Sequence, residues 1–197
     1  MQSLPRPGGN VTGLSNLAAQ TAGKNVELFR DMLPSLRQVA ALANPNDAFT
    51  APFLEQVQLA GRTAGVEIAP VAMVRSPDEI EAALADIASK QAQAVVLQTI
   101  FFPKAIADAA IKYRLPSASV LRSYPHAGGL MSYGADIPHL FRRSAVLVHK
   151  ILQGAKAADL PVEQATKFEL AINLNVARAI GIETPQAILG RADEVIE

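Results

Sequence analysis

The feature that most constrains this chain is a regular alternation of helix-patterned and strand-patterned segments, roughly 25–30 residues per pair, maintained along its length. "GKNVELFRDMLP" sets Val26, Phe29, Met32 and Leu33 at helical spacing and stops at Pro34. "QVAALAN" (38–44) is a short buried-strand run closed by the turn cluster "NPNDA". "FTAPFLEQVQLAGRTAG" predicts a helix from about Pro52 to Gly65, followed by a strand "VEIAPVAM" (66–73). In "SPDEIEAALADIASK", Ser76 is a natural N-cap, Pro77 takes the first helical position and Glu79 completes a capping box. "AQAVVLQT" (92–99) reads as an apolar strand of the kind buried on both faces of a parallel sheet. Helix "PKAIADAAIKYR" follows, then strands "LPSASVL" and "GLMSYG". A long helix, roughly Pro138 to Gln153, carries Leu140, Phe141, Leu147, Val148, Ile151 and Leu152. The chain ends with strand "TKFELAIN", helix "LNVARAIG" and the tail "TPQAILGRADEVIE". Parallel strands need crossover connections, so this beat predicts an α/β fold: a mainly parallel, Rossmann-like sheet flanked by helices.

With 197 residues and half of them hydrophobic, the chain can bury the core of one domain, or one and a half. Eighteen basic and eighteen acidic residues leave no net field to attract nucleic acid or an anionic membrane. The absence of cysteine excludes disulfides, thiolate zinc sites and thiol catalysis. No apolar run approaches the ~20 residues that span a bilayer, and "MQSLPRPGGNVTG" lacks the apolar core of a signal peptide. Pro5, Pro7, Gly8 and Gly9 form a turn cluster, and turns ordinarily join two elements, so further polypeptide is expected upstream.

Catalytic and phosphate motifs do not assemble. Gly23-Lys24 suggests a phosphate loop, but Asn25 stands where Ser or Thr would hold the magnesium, and the first glycine is absent. "RPGGNVTG" lacks the strand-then-helix setting of a dinucleotide fingerprint. Around Ser132 the first glycine of a nucleophile elbow falls one position early, at Gly129. His126, His139 and His149 show no metal-binding spacing; His149 reads as a solvated helix position and the other two as loop surface. Asp136, ahead of Pro138, fits an N-cap, and Glu79 and Glu81 a helix start. What remains is positional, because open α/β sheets bind ligands beyond the carboxyl ends of their strands. Those ends carry Asn44 and Asn46; Arg75 and Ser76; Thr99, Phe101 and Phe102; Arg122, Ser123 and Tyr124; then Tyr133 and Asp136.

Taken together, "RPGGNVTGLSN", "GKNVELFRDMLPSLRQVAALANPND", the run from "AGGLMSYGAD" through "NLNVARAIGI", and "RADEVIE" resemble the ABC-transporter substrate-binding family. The resemblance covers essentially the whole chain and points to the subgroup that includes tryptophan/tyrosine-type receptors. It implies a type I periplasmic binding-protein fold, with two α/β lobes joined by crossovers and closing on a small amino-acid-like or aromatic solute. It implies no catalysis and no cofactor, a periplasmic location and an ABC permease as partner. Residues 1–20 would be the remnant of the first lobe and first crossover, and 21–125 the second lobe. Residues 126–197 would supply a crossover strand, a long helix returning toward the first lobe, and the last strand and helix. By the same resemblance Asn44, Thr99, Phe101, Arg122, Ser123, Tyr133 and Asp136 line the ligand cleft. The family text near 98–102 carries an acidic or small residue before proline, where this chain reads "QTIFFP". With one near-complete lobe, the chain is expected to bind solute weakly and to dimerise through the apolar face of helix 138–153. A cytoplasmic ligand-sensing or dimerisation module, and a Rossmann-like enzyme, are the competing expectations.

Overall fold

A computed structural model describes residues 3–98 and 102–197. In chain order its elements are β1 (Leu14–Ser15), α1 (Ala18–Met32), β2 (Gln38–Ala43), α2 (Thr50–Ala64), β3 (Glu67–Met73), α3 (Ile80–Ser89), β4 (Ala94–Leu97) and α4 (Pro103–Lys112). They continue with β5 (Ser117–Ser119), α5 (Ser123–His126), β6 (Met131–Ala135), α6 (Ile137–Leu152), β7 (Glu163–Gln164), β8 (Phe168–Asn173), α7 (Leu174–Ile180), α8 (Gln186–Leu189) and β9 (Glu194–Ile196). Contacts divide the chain into two compact units, one of Ala18–Gly134 with Glu169–Glu197, the other of Met1–Leu17 with Ala135–Phe168.

The first unit is built on a seven-stranded sheet in the order β3-β2-β4-β5-β6-β8-β9. Neighbours from β3 to β6 pair in parallel, as do β8 and β9. Asn173 N donates to Leu130 O, and Asp136 N to Lys167 O, so β8 runs antiparallel to β6. The alternation of side chains along each strand divides the core in two. Val39, Ala41 and Ala43 of β2, with Ala94 and Val96 of β4, pack with Phe29 of α1 and Phe53 of α2. Ala40 and Leu42, with Val95 and Leu97, face Leu84 and Ile87 of α3 and Ile106 of α4. All nine of those strand residues are at most 2% exposed, which is why these strands read as continuous apolar runs.

The structure extends several sequence boundaries. Helix α1 starts at Ala18, before the motif that marked it, α2 starts at Thr50 rather than about Pro52, and a short α5 interrupts the loop after β5. The tail is structured, forming α8 and the edge strand β9. The expected capping box is incomplete: Pro77–Glu79 is a 3-10 turn and the Ser76 side chain makes no cap bond. The Glu79 carboxylate instead accepts from Arg75 N at 2.7 Å. Gly23 has a packing role, since a Cβ there would sit 3.0 Å from Gln56 O of α2, and Lys24 pairs with Glu27.

In the second unit β1 and β7 form a two-stranded parallel sheet with Leu14 opposite Glu163. Thr12 Oγ1 donates to Leu160 O at 2.8 Å and Val162 N to Leu4 O at 2.8 Å, tying the first residues to the segment before β7. Helix α6 is capped by Asp136, whose Oδ1 accepts from His139 N at 2.8 Å. Arg143 holds α6 to β7 through two bonds to the Glu163 carboxylate, at 2.6 and 2.7 Å. Of the α6 side chains only Leu147 is buried.

Candidate functional site at the carboxyl edge of the sheet

The chain runs from β2 outward to β3, then returns across β2 to β4, so the direction of winding reverses between β2 and β4. In such sheets the carboxyl edge beside a reversal of winding is the usual ligand position. Asn44 follows β2 there, and Gln98 follows β4.

Gln98 organises this edge. It is 1% exposed. Its Oε1 accepts from Asn44 N at 2.8 Å and from Thr50 Oγ1 at 3.0 Å, and its Nε2 donates to Asp47 Oδ2 at 2.9 Å. The Thr50 hydroxyl also donates to Asn44 O. Asn44 Oδ1 accepts from Asn46 N at 3.0 Å, forming an Asx turn. One buried amide thus secures the whole loop from Asn44 to Thr50. Sequence reading missed Gln98; its signal was a polar residue ending an otherwise apolar strand.

Gln98 also borders a small notch with Ser119, Leu121, Ser123 and Tyr124, about 10 Å³ in volume. That is room for about one water-sized sphere. Tyr124 forms its wall: the ring is buried and its hydroxyl donates to Ser117 Oγ at 2.7 Å. Burial pushes the ionisation of this phenol far up, so it stays a neutral donor. Ser123 starts α5 and is exposed beside it.

Arg122 precedes Ser123 and is held by its own chain. Its Nε donates to Glu194 Oε2 and an η nitrogen to Glu169 Oε2, both at 2.9 Å. The antiparallel turn of the sheet is what brings these two carboxylates, at the starts of β8 and β9, to the same edge. Hydrogen bonding to Arg122 lowers the pKa of Glu194 and raises that of Arg122. His126 Nε2 lies 3.2 Å from the same Glu194 oxygen. Sequence reading found neither glutamate, because nothing local connects them to Arg122.

Tyr133 is half-buried on β6, and its carbonyl accepts from the buried Asn25 amide of α1 at 3.3 Å. Asp136 belongs to the second unit. It is 4% exposed, and its Oδ2 accepts from Lys167 Nζ at 2.8 Å. That bond, then the His139 amide, holds its pKa below the ordinary carboxylate value. Thr99 and Phe101 lie outside the described residues. Asn44, through Gln98, and Ser123 therefore meet at one edge, with Arg122 beside Ser123. Among the described residues no group of three or more His, Asp or Glu side chains could hold a metal ion.

The family model described as ABC transporter substrate binding protein matches residues 1–196. A protein of Clostridioides difficile named tyrosine-binding protein is 19% identical over 93% of this chain and 53% of its own. The chain thus spans about half the length of that curated relative. A conserved domain protein of Vibrio cholerae superimposes with a TM-score of 0.90 at 27% identity, over 99% of this chain and 66% of the other. An ABC domain from Streptococcus pneumonia in complex with L-Trp superimposes at 0.88 and 26% identity, over the whole chain and 68% of its own. The type I periplasmic binding-protein-like fold expected from the sequence is the one the structure has.

Proposed function

Because the chain belongs to the ABC transporter substrate-binding protein family, we propose that it captures a small amino-acid-like or aromatic solute for delivery to an ABC permease outside the cytoplasm. The observation that supports this most is the reversal of winding between β2 and β4, whose carboxyl edge carries polar side chains. Asn44 has its side chain at that edge and Ser123 is exposed near it, and Tyr133 is proposed to join them. Arg122, neutralised by two glutamates, contributes orientation through its remaining N–H donors rather than net charge. Thr99, Phe101 and Asp136 complete the set of residues proposed to line the route of the solute. The relatives named for tyrosine and bound to L-Trp direct the choice of solute to try first. The role is binding and delivery, not turnover.

Weak binding of the solute by this chain is the expected outcome. Saturation-transfer NMR with L-tryptophan and L-tyrosine tests it. Saturable transfer from at least one of the two is expected, reduced in Asn44→Ala and Ser123→Ala. No transfer from either, nor from a panel of the other amino acids, would reject the reading.

A further inference from the structure

Gln93 and Gln98 bracket β4, and each staples a neighbouring loop with its amide. At the amino end, Gln93 Oε1 accepts from Arg37 N at 2.6 Å and from Gln38 N at 3.2 Å, and its Nε2 donates to Ser35 O at 3.2 Å. Those partners are all backbone groups. At the carboxyl end, the enclosed Gln98 gives its donor to a side chain instead, the carboxylate of Asp47. Ligands of open α/β sheets sit at the carboxyl end, so the two staples differ in place as well as in chemistry.

The Gln98 amide has one workable orientation. Asn44 N is a donor, so Oε1 faces it, which leaves Nε2 facing Asp47 Oδ2 at 2.9 Å. Asp47 is fixed in turn: its Oδ1 accepts from Phe49 N at 2.9 Å and its backbone N–H donates to Asn44 O at 3.1 Å. Thr50 N donates to Asp47 O at 3.0 Å, tying the same loop to the start of α2. Residue 98 thus has to accept at one end and donate at the other. Ionised glutamate accepts only and lysine donates only, so among side chains of this length glutamine alone does both.

We propose that Gln98 is a positioning residue for the solute, whose donor bond to Asp47 holds the Asn44–Thr50 loop in the form the solute meets. This rests on the solute-capture reading above. Being enclosed, Gln98 acts through Asn44 rather than by contact. The direction of the bond separates this role from plain packing. In Gln98→Glu two carboxylates face each other where the bond was. In Asp47→Asn two amide donors do, unless the new amide turns over and gives up Phe49 N. With both substitutions together the bond is re-made in reverse. The amide at 47 donates to the carboxylate at 98, while Asn44 N and Phe49 N keep their acceptors.

Amide exchange by NMR, with saturation transfer from L-tryptophan and L-tyrosine on the same chains, provides the test. In Gln98→Glu, exchange at Asn44, Asp47 and Thr50 should accelerate about tenfold, the scale of one lost buried hydrogen bond. The dissociation constant of whichever amino acid binds should rise roughly threefold to tenfold. Asp47→Asn changes a half-buried position; it should move both readouts the same way and carries the test if Gln98→Glu does not fold. The double variant should return both toward the parent values. Gln93→Glu, which removes the donor of the other staple, should lower the urea midpoint and leave solute affinity unchanged. Unaltered exchange in both single variants overturns the proposal, as does a double variant no better than the worse single one. Faster exchange with unaltered affinity also overturns it, leaving Gln98 a structural staple. A parent chain that takes transfer from no amino acid rejects the solute reading and this role with it, a result distinct from a binding parent with indifferent variants.

Discussion

At the scale of single residues, the glycines of "AGGLMSYGAD" show how a sequence reading and a structure can name the same residue for different reasons. Glycine there suggests sharp turns, and Gly128 does have a positive φ of 100°. Gly134 and Gly129 are needed for packing instead. A Cβ on Gly134 would lie 1.9 Å from Val120 O, and one on Gly129 would lie 2.1 Å from the Tyr124 ring. Gly134→Ala should therefore destabilise the chain by about 2–3 kcal/mol, the cost of forcing β6 away from the loop after β5. Gly9→Ala, which meets nothing within 4 Å, serves as the control and should fall within roughly 0.5 kcal/mol of the parent. Urea denaturation compares them, and equal midpoints would refute the packing account. The types of residue at the candidate site were legible in the same partial way. Asn44 and Ser123 could be read from the ends of strands, but the partners of Arg122 and the grip of Gln98 could not, since they join residues 47 to 72 positions apart.

At the scale of elements, α6 is the most instructive. Asp136 before Ile137-Pro138 reads as an N-cap, and the structure realises it. It also adds Lys167, contributed by the segment leading into β8, which no local pattern foretells. Because its folded-state pKa is depressed, Asp136 stabilises the fold fully above the ordinary carboxylate value. That contribution is lost as pH falls through the lowered folded value. Asp136→Asn keeps an oxygen for the cap and removes the charge. The variant should be less stable than the parent at neutral pH, and the two should converge as pH drops below about 4. Urea midpoints followed from neutral to acid pH check this; a constant gap would mean that the ion pair contributes nothing. Strands β2 and β4 were the most legible elements, because burial on both faces leaves a run of apolar residues that few other structures require.

For the whole molecule, the distribution of packing sets what opens first. Strands β2 and β4 sit inside the sheet with helices on both faces, whereas β1 and β7 form an isolated pair of two residues each. Amide exchange should be slowest at Val39–Leu42 and Val95–Leu97 and much faster at Leu14–Ser15 and Glu163–Gln164, as measured by mass spectrometry. Equal protection of the two groups would contradict this order. The amino-acid sequence by itself determined the kinds of elements, the two-faced burial of the central strands, the α6 cap and the membership of a solute-binding family. All of these rest on local periodicity, capping chemistry or shared segments of text. Only the tertiary structure decided the strand order that reverses the winding between β2 and β4, the neutralisation of Arg122 and the exposure of Phe141 and Leu152 on α6. The physical reason is that each depends on which remote segments become neighbours when the sheet assembles. A chain's local pattern specifies what must be buried, but leaves open against what.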